Sequence, residues 1–301
     1  MAEYDKEIKR LSYSAVSQYA ECGEKWKLSR VWNLDKSTWF TTLMGTAVHE
    51  ATANWDLLSI GFPADLDLAG PEAFDALFDR ELAKAAHFGN EVKASGKELK
   101  NIGKTGGPNR KDESWCRQFG PTMIQNWIDW RNLHNYRIAI MPDGQAGIEY
   151  EVTQPLGGYE FIGFIDRVML DHKDRPLVID LKTGKVPSSN TQLKSYAAEL
   201  RPMGVDVDRG CYWDAMAGDA AEWVTLPDIH DAPIAALVDN AGRGIEAGVF
   251  MANTASTVCR SCAVRDYCAA TGGRNAQLIP LQSPRVRVEH RHDAAIEGEE
   301  K

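Results

Sequence analysis

No stretch of the 301 residues approaches the ~18 consecutive apolar positions that a bilayer-crossing helix needs, so no membrane span and no membrane partner are expected. The opening MAEYDKEIKR has no apolar core of the kind a secretory signal carries, which points to a cytoplasmic protein. Cysteine is sparse, with six in the whole chain, so the disulfide-dense miniprotein class is excluded. Positive charge is also in deficit. The 34 Lys+Arg against 43 Asp+Glu leave a net −9, which excludes coating nucleic acid through bulk charge and leaves a locally basic groove open. With 44% hydrophobic residues, the chain is too apolar to stay disordered and long enough to bury a core.

What is present falls into three textures. Residues 1–146 read as helical: one helix over 11–30 entered through Ser12 or Ser14, one over 43–58, one from Pro71, and one opened by Pro121. Residues 147–227 have strand composition over 147–155, 159–170, 176–182, 207–217 and 221–226, with one helix at 190–201. Residues 228–282 hold a helix and a cysteine cluster, and 283–301 are expected to form a disordered tail. The order predicts an α/β fold with a small mixed central sheet flanked by helices.

The segment GFIDRVMLDHKDRPLVIDLKTGK, residues 163–185, carries the most chemistry. Asp180 and Lys182 are two apart on a strand and project from one side, while Leu181 turns to the other. If the turn is centred on Lys173, Asp166 of the preceding strand lies opposite Asp180. Two carboxylates so placed repel unless a cation lies between them, and hard oxygen donors suit Mg²⁺ or Mn²⁺. A lone D-x-K is usually a solvated strand face, but LVIDLK is apolar enough to be central, where a charged pair needs a reason. Gln192 and Tyr196 are one helical turn apart on the next helix. His49 stands in GTAVHE; the H-E-x-x-H zinc motif fails because position 53 is Ala53. GKT at 103–105 fails as a phosphate loop because position 98 is Glu98, so ATP-driven unwinding by this chain is not expected. Lysines and arginines from Lys93 to Arg117 could track a phosphate backbone or form a solvated loop. Trp26, Trp32 and Trp39 could stack on single-stranded bases, but core packing is the expected role.

Cys259, Cys262 and Cys268 form a C-x₂-C-x₅-C triplet that lacks a fourth thiolate for a tetrahedral S₄ site. Cys22, Cys116 and Cys211 are the candidates, and spacing alone leaves the choice open.

Taken together, these elements resemble the PD-(D/E)xK nuclease superfamily, specifically RecB-like exonucleases of the iron–sulfur, CRISPR-associated nuclease-like type. Gly45 to His49 stands for its G-x-x-x-H, Gly163 to Asp166 for G-x-x-D, Asp180 to Lys182 for D-x-K, and Gln192 to Tyr196 for Q-x-x-x-Y. The resemblance implies a restriction-endonuclease-like core whose ends meet at a metal cluster. It implies Mg²⁺ or Mn²⁺ held by His49, Asp166, Asp180 and the Leu181 carbonyl, with Lys182 acting on the attacking water. Gln192 and Tyr196 would contact or support the DNA strand, and either Glu149 or Glu151 would supply a further acid. It also implies a 4Fe-4S cluster on Cys22, Cys259, Cys262 and Cys268, with zinc satisfying the same donors. The family usually has proline after the first cysteine, where Gly23 stands here. The expected activity is exonucleolytic hydrolysis of single-stranded DNA or DNA ends, alongside a separate helicase or recombinase. The alternatives are a non-catalytic, cluster-stapled DNA-binding or adaptor subunit and a metal-free carboxylate enzyme such as a glycosidase.

Overall fold

A computed structural model describes residues 6–95, 110–255, 259, 262–280 and 282–290. Strands β1 (Lys6–Ile8) and β2 (Leu11–Ser12) lead into α1 (Tyr13–Glu21) and α2 (Gly23–Trp26). Then come β3 (Ser37–Trp39), α3 (Phe40–Ser59), α4 (Phe74–His87), β4 (Glu91–Lys93) and α5 (Glu113–His134). The sheet-forming part holds β5 (Arg137–Ile138), β6 (Ile148–Leu156), β7 (Tyr159–Leu170), β8 (Pro176–Lys182), α6 (Thr191–Leu200), β9 (Arg209–Asp214) and β10 (Asp219–Thr225). Helix α7 (Asp231–Glu246) and strand β11 (Val286–Val288) follow.

The central sheet is mixed and seven-stranded, running β10-β9-β8-β7-β2, with β5 and β6 also on β7. Strand β8 shows why it sits in the middle. Leu177, Ile179 and Leu181 face Met44, Val48 and Trp127 of α3 and α5, while Val178 faces Leu193 and Leu200 of α6. Both sides are therefore buried, and each fully buried aliphatic chain contributes roughly 1.5–3 kcal/mol. The restriction-endonuclease-like α/β expectation holds: a mixed sheet with α3, α4 and α5 on one side and α6 on the other.

Three local expectations are corrected. The helix over 11–30 breaks at Cys22, whose extended backbone lets its sulfur accept the Lys25 N–H at 3.4 Å. Ser12 is the cap of the first piece, accepting from Ala15 N at 3.3 Å. Pro121 does not open a helix. It lies inside α5, which starts eight residues earlier on its Asp112 cap, because Cys116, Met123 and Trp127 all bury their side chains from the same rod. The tail is ordered as far as His290. Val286 and Val288 are fully buried, and β11 pairs in parallel with β1 at the other end of the chain. Residues 291–301 lie outside the described residues.

Of the basic loop, Lys97, Lys100 and Lys104 also lie outside them. Arg117 is held by Asp79 at 2.6 Å and Glu113 at 2.8 Å, which leaves it poorly placed to follow a phosphate backbone. Trp26 is fully buried and stacks on Phe250.

Candidate metal and nuclease centre

The β7–β8 ladder is symmetric about residue 173, pairing Leu170 with Pro176 through to Arg167 with Ile179. One further step sets Asp166 opposite Asp180. There the backbone pairing stops and a side chain takes over: Asp166 Oδ2 accepts the Leu181 N–H at 2.7 Å. Both aspartates are buried, at 8% and 1% exposure.

Helix α3 brings His49 to the same point. It can press against the end of β8 because Gly45 has no side chain; a Cβ there would lie 2.8 Å from Thr183 Oγ1. His49 Nε2 donates to the Leu181 carbonyl at 3.1 Å, and Nδ1 lies 3.3 Å from Glu149 and 3.5 Å from Asp166. The backbone of Leu181 is thus gripped at both ends, its N–H by Asp166 and its carbonyl by His49.

Of the two acids left open by the sequence, Glu149 is the one that meets His49. Its φ of +44 lies in the left-handed region, which non-glycine residues rarely occupy and which marks a strained position. Strand alternation breaks there: Ile148 joins the core under α3 while Tyr150 joins the core under α6. The Glu149 carboxylate comes to His49, whereas Glu151 is paired with Arg10 at 3.3 Å. Burial pushes the imidazole of His49 down, but Asp166 and Glu149 more than offset it, leaving the group at about 9. Burial, with Asp180 and Glu149 nearby, lifts Asp166 to about 7 against the pull of His49.

On the other side of Asp180 the side chains close a ring. Lys182 is ion-paired to Asp180 and donates to Gln192 Oε1 at 3.1 Å; Gln192 Nε2 donates to Tyr196 Oη at 2.7 Å; Tyr196 donates back to Asp180 Oδ1 at 3.0 Å. Gln192 and Tyr196 therefore orient Asp180 and Lys182. The Asp180 Oδ2 atom is buried and, among the described residues, meets the Lys182 ammonium in that ion pair. The donor set of Asp166, Glu149 and His49, next to an Asp180 carboxylate balanced by one ammonium, fits a hard cation.

The sequence reading missed Arg167. Fully buried, it donates to Asp56 at 2.7 Å, Thr52 at 3.0 Å, Glu149 at 3.1 Å and the Asp166 carbonyl at 2.7 Å. Asp56 in turn accepts from Arg131 and Trp127, each at 2.9 Å. A signal existed: an arginine next to Asp166 on a central strand points into the core, where a charge needs a partner.

Far from this cleft in sequence, Cys22, Cys259, Cys262 and Cys268 line one small cavity. Cys22 Sγ also accepts the Asn253 N–H at 3.4 Å. Gly23 is needed where the chain doubles back, since a Cβ would lie 3.0 Å from the Phe250–Met251 backbone. Cys116 and Cys211 are instead buried in the main core, where burial pushes both thiols up, Cys116 to about 12. Four cysteines lining one cavity suit a thiolate-bound centre better than two isolated ones in the core.

The cleft over the acids holds about 880 Å³ and is open to solvent. Ligand atoms of His49, Glu149 and Asp166 lie within 4.8 Å of one another, a donor set that could hold a hard cation. A family profile described as "PD-(D/E)XK nuclease superfamily" matches residues 10–269. "Gene 69 protein" of Mycobacterium phage D29 is 32% identical over 197 residues, 62% of this chain and 66% of that protein. The chain thus spans slightly under two thirds of that relative's length. Two solved structures also match, with weak superposition. One, described as "Crystal structure of SSO0001", shares 12% identity at a TM-score of 0.34, covering 86% of this chain and 95% of that one. Protein VC1899 from Vibrio cholerae shares 15% at 0.22, covering 79% and 57% respectively.

Proposed function

The chain belongs to the PD-(D/E)XK nuclease superfamily, and on that premise we propose that it is a Mg²⁺- or Mn²⁺-dependent deoxyribonuclease, an exonuclease working on single-stranded DNA or DNA ends in replication or recombination. The observation that carries this is the convergence of His49, Glu149 and Asp166, whose ligand atoms lie within 4.8 Å of one another next to the Asp180–Lys182 pair. His49, Asp166, Asp180 and the Leu181 carbonyl would hold the cation, with Glu149 as the further acid. A divalent cation bound there supplies an activated water at neutral pH and neutralises charge on the phosphate.

The protein's own groups do the rest. Lys182, kept in place by Gln192, orients the water and stabilises charge that develops on the phosphate oxygens. Tyr196 fixes the rotamer of Asp180. The open cleft over the acids, about 880 Å³, would take a strand end presented by a separate helicase or recombinase.

The four convergent cysteines would hold a 4Fe-4S cluster, or zinc on the same donors. Either would tie residue 22 to residues 259–268. Closing so long a loop removes unfolded-chain entropy, so the centre acts as a clasp between the chain's ends.

The test is degradation of end-labelled single-stranded and duplex DNA with Mn²⁺, comparing wild type with Lys182→Ala and Asp180→Ala. Wild-type hydrolysis abolished by EDTA, with both variants down by 10²-fold or more (roughly the loss on removing one preorganised charge), is expected. Equal degradation by all three would remove the site. No degradation by any would favour a non-catalytic adaptor.

A further inference from the structure

The geometry points to Phe164 as the platform on which an unpaired nucleobase stacks next to the acids of the cleft. This inference rests on the nuclease reading and assigns what that site prefers. Phe164 is 52% exposed in the middle of β7, between Gly163 and Ile165, both buried. Its cross-strand partner is Glu151, whose charge is turned to Arg10, so the neighbouring strand offers no apolar cover. The ring instead lines the cleft with Asp166, only two residues further along the same strand.

Scattered exposed apolar side chains need no explanation. This one differs in its surroundings. The rest of the lining is mostly threonine, amide, lysine and carboxylate, with Ala53 and Leu181 as apolar members; of its other two rings, Tyr196 is 4% exposed with its hydroxyl turned onto Asp180, and His49 is turned to the Leu181 carbonyl and Glu149. Phe164 is therefore the most exposed ring of the lining among the described residues, and one that no hydrogen bond occupies. A polar channel with one aromatic face is the arrangement that grips a single strand, because every base has a π-face and stacking tolerates any sequence. Within a duplex both faces of an internal base are already covered by its neighbours. The ring can thus engage only a base that is unpaired or frayed at an end. Two strand residues span roughly 6.6 Å, so a base stacked on Phe164 leaves its own phosphate within reach of the acids.

The experiment measures binding with EDTA present, so that nothing is cut. The probes are a fluorescein-labelled oligothymidylate, the same strand with abasic residues across its centre, and a duplex of equal length. Phe164→Ala should weaken binding of the intact single strand by roughly 5- to 150-fold, the range expected for losing one stacked base. It should leave the abasic strand and the duplex within about twofold, and Phe164→Trp should restore the affinity. Circular dichroism and the melting temperature check that Phe164→Ala is folded, and Phe164→Leu, which keeps apolar bulk without a π-face, serves as the second variant. Unchanged affinity for the intact strand in both variants, an equal loss on the abasic strand, or a wild type that binds none of the probes would overturn the assignment. Hydrolysis of the same oligothymidylate in Mn²⁺ is scored separately. A wild type that binds as described but never cuts would retire the nuclease reading and leave the stacking assignment standing.

Discussion

Arg167 and Asp56 meet at 2.7 Å with neither side chain exposed to solvent, and through that pair the floor of the cleft is fixed from behind. The guanidinium holds the Glu149 carboxylate and the Asp166 carbonyl at once, so it fixes two residues of the candidate cation site. Breaking one half of a buried ion pair leaves the other charge without compensation. Arg167→Met should therefore lower unfolding stability by about 3–5 kcal/mol in urea titrations. Arg167→Lys should fall short of full rescue, because one ammonium cannot reproduce four hydrogen bonds in a planar fork. A loss under about 1 kcal/mol for Arg167→Met would contradict this role.

Gly163 owes its place to Glu199. A Cβ at 163 would lie 2.1 Å from Glu199 Oε2, and that side chain is itself 1% exposed. Gly163→Ala should cost about 1–3 kcal/mol by overpacking, and most of that cost should vanish in the Glu199→Ala background. Additive losses in the double-variant cycle would show that the two positions do not meet.

Among the described residues, neither carboxyl oxygen of Glu199 has a hydrogen-bond partner, and burial raises its pKa well above the ordinary 4.5. Above pH 4.5 the unfolded chain releases this proton while the folded one keeps it. The contribution to stability is complete below that pH and declines as pH climbs toward the folded value. Glu199→Gln removes the decline, so the variant should gain on wild type steadily between about pH 5 and pH 8 in thermal melts. Parallel curves for the two proteins would contradict the assignment.

Replacing Cys22 by serine should empty the thiolate centre as completely as replacing Cys259, whereas Cys116→Ser and Cys211→Ser should retain it. Anaerobic metal analysis reads the outcome: about four iron and four sulfide per chain for a 4Fe-4S cluster, or about one zinc. Retention in Cys22→Ser would show that the cavity's fourth ligand lies elsewhere.

Much of the centre was legible before any coordinates. The hairpin midpoint at Lys173 sets the register that brings Asp166 to Asp180, and the helical spacing of Gln192 and Tyr196 puts both onto Asp180 and Lys182. What stayed hidden was non-local or broke a period. Strand alternation cannot separate Glu149 from Glu151, since residues two apart share a side; the positive φ at Glu149 is what separates them. Pro121 reads as a helix start by local rule, yet the packing of Cys116 and Trp127 carries α5 through it. Val286 and Val288 look too few to bury, and only the edge offered by Lys6–Ile8, nearly the full chain away, makes them a strand.

The central claim is that His49, Asp166 and Asp180 share one divalent cation. Crystals soaked in Mn²⁺ and measured for anomalous scattering test it most directly. A peak is expected within about 2.0–2.6 Å of ligand atoms from His49, Asp166 and Asp180, and it should be lost in Asp180→Ala. A strong manganese peak elsewhere, with these side chains still bonded only to one another, would contradict it.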